Sequence, residues 1–260
     1  MIPFLDKPMA IGKIGSSECR AVASVRHHTD LTQLDLHDIF VGAGVFPPTI
    51  ESINSFFDIY TNHLKEMDIV AKWLGSIEED LLNFYCPSST LVELRELEPY
   101  YWDEPWSKEL KNKKVLVISP FADTIESQYE KRELLWMDER ILPSFILKTV
   151  KCPFSWYLAA PTNTTWEIEL ETLKEKMDNE VFDICLIGAG AWSIPLAVHA
   201  KRLGKIGIHL GGSLQILFGV KGARWDQHEV ISNFYNDAWV RPSAEETPKD
   251  GRLVEGGCYW

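Results

Sequence analysis

The second half of the chain alternates between apolar runs and helix-like segments, and this alternation restricts the fold more than any other feature. Four apolar runs are typical of strands buried in a sheet: KVLVISPF, SFILKTVKC, FDICLIGAG and KIGIHLGG. The segments between them have the composition and length of helices. Strands that alternate with helices favour right-handed crossovers and parallel pairing. We therefore predict an α/β fold with a Rossmann-like, mostly parallel sheet.

The first half is predicted to be richer in helix. The stretch MAIGKIGSSECRAVASV indicates a strand, a glycine turn and a helix capped by Ser16 or Ser17. Residues 37–48 are interpreted as a loop because they hold two glycines and two prolines. Residues 49–74 are predicted to form one amphipathic helix that begins at Thr49. The 260 residues are predicted to form a single domain, with a lobe boundary near the aromatic, loop-rich residues 86–112.

Composition limits the class of function. A net charge of -12 argues against nonspecific nucleic-acid binding, because a nucleic-acid partner requires a positive surface. No apolar run approaches the roughly 20 residues of a membrane span. The start of the chain lacks the pattern of a secretory signal, and the five cysteines have no short spacing typical of disulfide frameworks or zinc sites. We expect a cytoplasmic protein with reduced thiols.

The predicted strand ends are the places to search for a ligand, because open α/β sheets bind ligands there. The turn Gly188-Ala189-Gly190 begins like a dinucleotide-binding fingerprint, but Ser193 holds the third glycine position and no acid follows the next strand. NAD and S-adenosylmethionine are therefore not expected. Two glycines before a helix still favour a phosphate or carboxylate site, and the alternative is a turn needed only for close packing.

Other polar residues lie near the same strand ends. His209 ends the last predicted strand, and Gly211, Gly212, Lys221 and Arg224 follow it. Ser119 and Arg132 accompany the first of the four strands, with a solvated helix face as the alternative interpretation. Trp192, next to the glycine turn, is a candidate to stack on a base or sugar, although packing in the core is the alternative.

Glu18 is the candidate for catalysis. It follows a strand and a glycine turn, so its carboxylate is placed to point into a cleft, where it could act as a base or hold a metal. The alternative is an acid that complements the dipole at the helix start.

Four segments are similar to an uncharacterised family found among bacterial and viral surface-polysaccharide genes: KVLVISPFADTIESQYEKRE, LIGAGAWSIPLAVHAKRLGKIGIHLGG, LFGVKGARW and EGGCYW. The layout also resembles the GT-D glycosyltransferases, which carry an early Gly-Asp-Gly-Glu turn that binds a metal and a nucleotide sugar. Here IGKIGSSE occupies that place. Gly15 matches the first glycine and Glu18 the glutamate, whereas Ser16 stands where the family has aspartate.

The resemblance implies a glycosyltransferase that moves a sugar from a nucleotide-sugar donor to a glycan or lipid-linked acceptor in surface-polysaccharide synthesis. Glu18 would orient the donor, hold a divalent ion (Mn²⁺ or Mg²⁺) or act as base. Because Ser16 cannot replace a carboxylate ligand, a metal would need another acid or the diphosphate itself. The predicted donor-binding residues are Gly15, Ser16, Ser119, Arg132, Gly188, Gly190, Trp192, His209, Gly211, Gly212, Lys221 and Arg224. The alternative is a noncatalytic accessory protein that binds a nucleotide sugar or glycan.

Overall fold

The computed structural model describes residues 6–27, 31–154, 161–251 and 255–260. Its strands are β1 (Met9–Lys13), β2 (Ile69–Lys72), β3 (Thr90–Glu93), β4 (Lys114–Ser119), β5 (Ile146–Lys151), β6 (Ile184–Ile187) and β7 (Ile206–His209). They form one sheet in the order β3-β2-β1-β7-β6-β4-β5. Every neighbouring pair is parallel. The predicted α/β, Rossmann-like fold is therefore confirmed.

The helices lie mainly between the strands. They are α1 (Ser16–Arg26), α2 (Gln33–Ala43), α3 (Ile50–Leu64), α4 (Ser76–Tyr85), α5 (Ala122–Tyr129), α6 (Arg132–Leu135), α7 (Trp166–Asp178), α8 (Ser193–Arg202) and α9 (Ser213–Leu217). Short 3-10 turns at Leu94–Leu97, Pro99–Tyr101 and Trp106–Leu110 follow β3. Within the described residues, no helix has both the length and the apolar character needed to cross a bilayer.

Two hydrophobic cores cover the two faces of the sheet. Helices α1, α2, α3, α4, α7 and α8 pack on one face. The other face is covered by α5, α6, α9, the 3-10 turns after β3 and the residues that follow α9. In β4 the side chains alternate between these cores, with Leu116 in the first and Val117 in the second. Burial on both faces explains why the central strands read as continuous apolar runs.

The chain leaves neighbouring strands toward opposite faces. After β1 and β6 it enters α1 and α8 on the first face. After β7 and β4 it enters α9 and α5 on the second face. Divergence of this kind opens a crevice at the carboxyl ends of the strands, where ligands of such sheets bind.

The helix predicted over residues 49–74 is wrong in its second half. Its start is confirmed, because the Thr49 side chain caps α3 by accepting a hydrogen bond from the backbone N–H of Ser52 at 3.2 Å. The helix ends at Leu64, and β2 begins at Ile69. Between them the Asp68 carboxylate accepts a hydrogen bond from the backbone N–H of Ala10 at 2.8 Å, which fixes the start of β2 beside β1.

The loop predicted over residues 37–48 is wrong for residues 37–43, because α2 extends to Ala43, and it is confirmed for residues 44–48. Gly42 lies inside this helix, and a Cβ at that position would be 2.3 Å from the Ser17 Oγ. The glycine therefore serves close packing of α2 against α1 and does not break the helix. Helix α1 starts after Gly15 without a side-chain cap, so neither Ser16 nor Ser17 caps it as predicted.

The lobe boundary predicted near residues 86–112 coincides with β3 and the 3-10 turns. Strands from both sides of this segment join the same sheet. The segment also contributes to the second hydrophobic core, through Leu97, Tyr100, Trp106 and Leu110.

Candidate functional site

A cleft of about 340 Å³ lies at the carboxyl ends of the central strands. Ten of the residues predicted from the sequence line it: Gly15, Ser16, Glu18, Ser119, Gly188, Gly190, His209, Gly211, Gly212 and Arg224. The fold thus brings Glu18 and the Gly188 turn to one site, although they are far apart in the sequence. The sequence interpretation missed three other residues that line the cleft: Lys13, Trp73 and Tyr259. It noted Ser17, Phe121 and Gln215, which also line the cleft, without assigning them to the site.

Glu18 lies in the first turn of α1 and is largely buried. Its carboxylate occupies the space beside Gly15, where a Cβ would be 2.1 Å from the Oε2 atom of Glu18. The glycine before α1 is therefore required by the position of this carboxylate. Among the described residues that line the cleft, Glu18 supplies the one carboxylate.

Lys13, the last residue of β1, places a cation beside this carboxylate. Burial lowers the pKa of the Lys13 ammonium, the charge of Glu18 raises it, and Arg224 lowers it further. The ammonium lies 4.8 Å from the centroid of the Trp73 ring, and its Nζ would be 3.5 Å from a Cβ at Gly211. Lys13 thus lies between the ends of β2 and β7, toward the Trp73 end of the cleft.

His209 ends β7 as a buried, neutral imidazole. Burial lowers its pKa to about 3, and the Lys13 charge contributes to the decrease. Gly12 of β1 lies opposite His209 in the sheet, and a Cβ at Gly12 would be 2.8 Å from the His209 Cβ. The small residue in β1 therefore makes room for the imidazole. The His209 Nδ1 lies 3.4 Å from the Ile187 carbonyl oxygen, to which a neutral ring donates, so Nε2 remains to accept a hydrogen bond from a ligand.

The turn after β7 continues the cleft wall. Gly211 has a φ of +59°, a conformation that favours glycine. A Cβ at Gly212 would be 3.0 Å from the Trp225 ring and 3.8 Å from an Arg224 guanidinium nitrogen. A side chain at this position would therefore have to push the Trp225 ring back by a few tenths of an ångström.

The Gly188 turn is less open to an anion than its sequence suggests. Ser193, at the third position of the dinucleotide pattern, accepts a hydrogen bond from the backbone N–H of Ala189 at 2.9 Å through its Oγ. A backbone donor of the turn is thus satisfied within the protein. A Cβ at Gly188 would be 2.9 Å from Leu214 and 3.1 Å from the Gly211 carbonyl oxygen, so this glycine also serves close packing.

Arg224 is held at the cleft by the last residues of the chain. Its guanidinium lies 4.7 Å from the centroid of the Tyr259 ring and donates a hydrogen bond to the Cys258 Sγ at 2.7 Å. The Gln215 amide donates to the Tyr259 carbonyl oxygen at 3.0 Å, which attaches the same segment to α9. The cleft wall on this side is therefore built from α9 and from residues 258–260.

Three predicted residues lie elsewhere, and their assignment to the site is corrected. Trp192 is fully buried, and its indole N–H donates to the Trp166 carbonyl oxygen at 3.0 Å, so it packs in the first core. Arg132 pairs with Glu133 at 2.8 Å on the outside of α6. The Lys221 ammonium lies 5.2 Å from the centroid of the Tyr235 ring and does not line the cleft.

The start of α5, next to Ser119, is already occupied by a carboxylate of the protein. Glu246 is fully buried and accepts hydrogen bonds from the backbone N–H groups of Asp123 and Thr124, at 2.8 and 3.2 Å, and from the Thr124 hydroxyl. Ser119 itself accepts from the backbone N–H of Phe121 at 3.1 Å. The helix start that a phosphate would use in this position is therefore filled.

The donor set around Glu18 does not fit a metal ion held by the protein alone. In the described part of the chain, no three His, Cys, Asp or Glu side chains group as metal ligands would. The neighbours of Glu18 are serine hydroxyls, a glycine and the Lys13 ammonium, which repels a cation. The site instead combines one carboxylate, one neutral imidazole and two cationic side chains.

Comparison with known proteins returns no matching family model, no matching curated protein and no matching solved structure. The fold and the site together define an α/β protein of Rossmann-like fold with a cationic cleft at the carboxyl ends of its central strands.

Proposed function

We propose that this protein is a glycosyltransferase that moves a sugar from a nucleotide-sugar donor to a glycan or lipid-linked acceptor. The observation that carries the proposal is the meeting of one carboxylate, Glu18, with the cations Lys13 and Arg224 in one cleft. A reaction with a diphosphate leaving group and a hydroxyl nucleophile requires both kinds of group. The resemblance to the GT-D glycosyltransferases at Gly15 and Glu18 supports the same conclusion.

The extent of the cleft suits a long ligand. Its lining residues follow the ends of five adjacent strands, from Trp73 after β2 to Phe121 after β4. Four strand spacings of about 4.8 Å correspond to roughly 19 Å. A nucleotide sugar is an elongated molecule. Lys13 ends β1, one strand from the Trp73 end of the cleft, so the longer part of the cleft toward β4 is available for the nucleotide.

In the proposed reaction the bond between the anomeric carbon and the diphosphate oxygen breaks, and its electron pair remains on that oxygen. Lys13 and Arg224 stabilise the charge that develops there. A bond forms between the anomeric carbon and the acceptor oxygen, and the acceptor proton passes to the Glu18 carboxylate. His209, being neutral, holds a sugar hydroxyl by a hydrogen bond. No step uses a metal, because the residues around Glu18 do not form a metal site by themselves.

The proposal also locates the protein in the cytoplasm, where nucleotide sugars are made and thiols stay reduced. The five cysteines are free and buried, which is compatible with a reducing compartment.

The first experiment measures thermal shift and turnover with a panel of nucleotide sugars, free nucleotides, NAD and S-adenosylmethionine, each with and without Mn²⁺. A ligand at 100 times its dissociation constant adds about 2.7 kcal/mol to the free energy of unfolding, which raises the Tm measurably. We expect a shift from one class of nucleotide sugar. A shift from NAD or S-adenosylmethionine alone would contradict the proposal.

Two variants with matched controls then separate binding from chemistry. Lys13→Ala should weaken nucleoside diphosphate binding by about 10- to 100-fold through the loss of a charge-assisted contact, whereas Lys221→Ala, outside the cleft, should not. Glu18→Gln should keep donor binding and lower turnover by about 10²- to 10⁴-fold, whereas Glu245→Gln should not. Donor binding by the wild type without any turnover would favour the noncatalytic accessory protein.

A further inference from the structure

Trp73 is an exposed indole held in a fixed position at the mouth of the cleft. Its side chain is 43% exposed, and it lines the cleft directly after β2. Its indole N–H donates to the Ile14 carbonyl oxygen at 2.9 Å. An exposed tryptophan alone indicates no ligand, but a ring fixed at the wall of a cleft presents a preformed apolar surface to whatever binds there.

The backbone of Trp73 is held as firmly as its ring. The Glu78 carboxylate accepts hydrogen bonds from the backbone N–H groups of Trp73 and Leu74, at 2.6 and 2.8 Å. Glu78 is fully buried. Burial of a carboxylate is costly, and here the buried group fixes the loop that presents the indole. Such preorganisation lowers the entropy lost when a ligand binds.

The surroundings of the ring indicate which part of a ligand it would contact. The indole N–H bonds to Ile14, and the Glu18 carboxylate lies against the next residue, Gly15. The Lys13 ammonium, which the proposed reaction assigns to the diphosphate, lies 4.8 Å from the centroid of the same ring. The ring therefore lies beside both the proposed base and the leaving oxygen. Trp73 stands at the β2 end of the cleft, one strand beyond Lys13, so the nucleotide extends the other way and the acceptor takes the Trp73 end. The nucleobase is separated from the reacting carbon by a ribose and two phosphates.

The geometry points to Trp73 as the platform for the acceptor, with the apolar face of a pyranose ring stacked on the indole. This inference rests on the proposed function and adds the class of acceptor, a sugar ring, and the residue that holds it. The positive C–H edge of a pyranose complements the negative face of an indole. Trp73 is thus a positioning residue, which orients the acceptor hydroxyl toward Glu18.

The test compares Trp73→Ala and Trp73→Phe with Trp102→Ala. Trp102 is a suitable control because it is 42% exposed and its indole N–H donates to a backbone carbonyl, that of Arg95, yet it does not line the cleft. The probes are the methyl glycosides of glucose, galactose and N-acetylglucosamine. Their binding is followed by tryptophan fluorescence, and nucleotide-sugar binding is followed separately by calorimetry.

We expect at least one methyl glycoside to bind the wild type with saturation. Trp73→Ala should weaken that binding by about ten-fold, and it should raise the nucleotide-sugar dissociation constant by no more than about three-fold, because Lys13 loses only the ring beneath its ammonium. Trp73→Phe should retain most of the affinity because it keeps an aromatic face, and Trp102→Ala should change neither quantity.

Three results would contradict the inference or the proposed function on which it rests. Weaker nucleotide-sugar binding by Trp73→Ala with unchanged glycoside binding would assign the indole to the donor and overturn the inference. Failure of every glycoside to bind the wild type would overturn it as well, even if nucleotide sugars bind and turn over. Failure of all nucleotide sugars to bind would overturn the proposed function, whatever the glycosides do.

Discussion

Gly15 illustrates how a single residue without a side chain controls the site. A Cβ at this position would overlap the Glu18 carboxylate, which is the mobile end of a side chain, so the carboxylate would move and the backbone would remain in place. Gly15→Ala should therefore lower turnover by about 100-fold, as removal of the base would, while the loss of an N-cap glycine costs less than about 1 kcal/mol. Turnover measurements check the predicted loss of activity, and urea unfolding checks the predicted loss of stability.

Gly204 provides the opposite case. It lies between α8 and β7, outside the cleft lining, with a φ of +75° and nothing within 4 Å of a Cβ. Gly204→Ala should therefore cost about 1–2 kcal/mol of stability through backbone strain and leave turnover unchanged. Equal effects of the two glycine variants on turnover would show that Gly15 does not act through Glu18.

His209 gives a prediction for pH. Its pKa is about 3 in the folded protein and near 6.5 when unfolded, so the unfolded state binds the extra proton between these values. Stability therefore falls as pH drops below 6.5, with a slope of about 1.4 kcal/mol per pH unit for one proton. His209→Asn should remove about that much slope between pH 4 and 6, as measured by urea unfolding. An unchanged slope in His209→Asn would contradict a buried, neutral imidazole.

Among individual residues, the strand-end glycines and Glu18 could be predicted from the sequence, because the carboxyl ends of parallel strands lie on one edge of the sheet. The sequence interpretation missed Lys13, the last residue of β1, because that strand is short. It missed Trp73, the first residue after β2, because β2 itself was not recognised as a strand. Trp192 was misplaced because it is next to the turn in sequence, yet its side chain enters the core below it. Position in the sequence does not show whether a side chain beside the turn points into the cleft or into the core.

At the scale of elements, the stability of helix α5 depends on one residue from a distant part of the chain. Its start is capped by Glu246, which lies 123 residues after Asp123. Glu246→Gln removes the negative charge from several hydrogen bonds at a helix N-terminus, which should cost about 1.5–3 kcal/mol. Urea unfolding measures the loss, and the exposed neighbour Glu245→Gln should stay within about 0.5 kcal/mol of wild type. Equal stability of the two variants would show that the buried carboxylate is not important for α5.

The elements of the second half could be predicted because β4, β5, β6 and β7 are apolar runs separated by complete helices. The first half was harder for two physical reasons. Strand β2 follows α3 after four residues with no glycine or proline between them, so the helical periodicity continued to Met67. In α2, Gly42 resembles a helix breaker, and only the position of Ser17 explains why it is there.

For the whole molecule, the sheet order predicts how protection from hydrogen exchange is distributed. The four central strands β1, β7, β6 and β4 are buried between the two cores. The edge strands β3 and β5 carry exposed side chains, including Leu91 and Ile146. Exchange measured by mass spectrometry should be slowest in the central strands and faster by orders of magnitude at the edges. Slow exchange in β5 would mean that another surface covers this edge.

The position of β1 has a consequence for synthesis of the protein. Its residue Met9 pairs with Ile206 of β7, roughly 200 residues further along the chain. A ribosome that adds about 5–20 residues per second needs roughly 10–40 s to cover that distance. Throughout this interval the nascent chain carries an apolar strand whose β7 side has no partner. Newly made β1 is therefore the segment most in need of shielding by a chaperone before release.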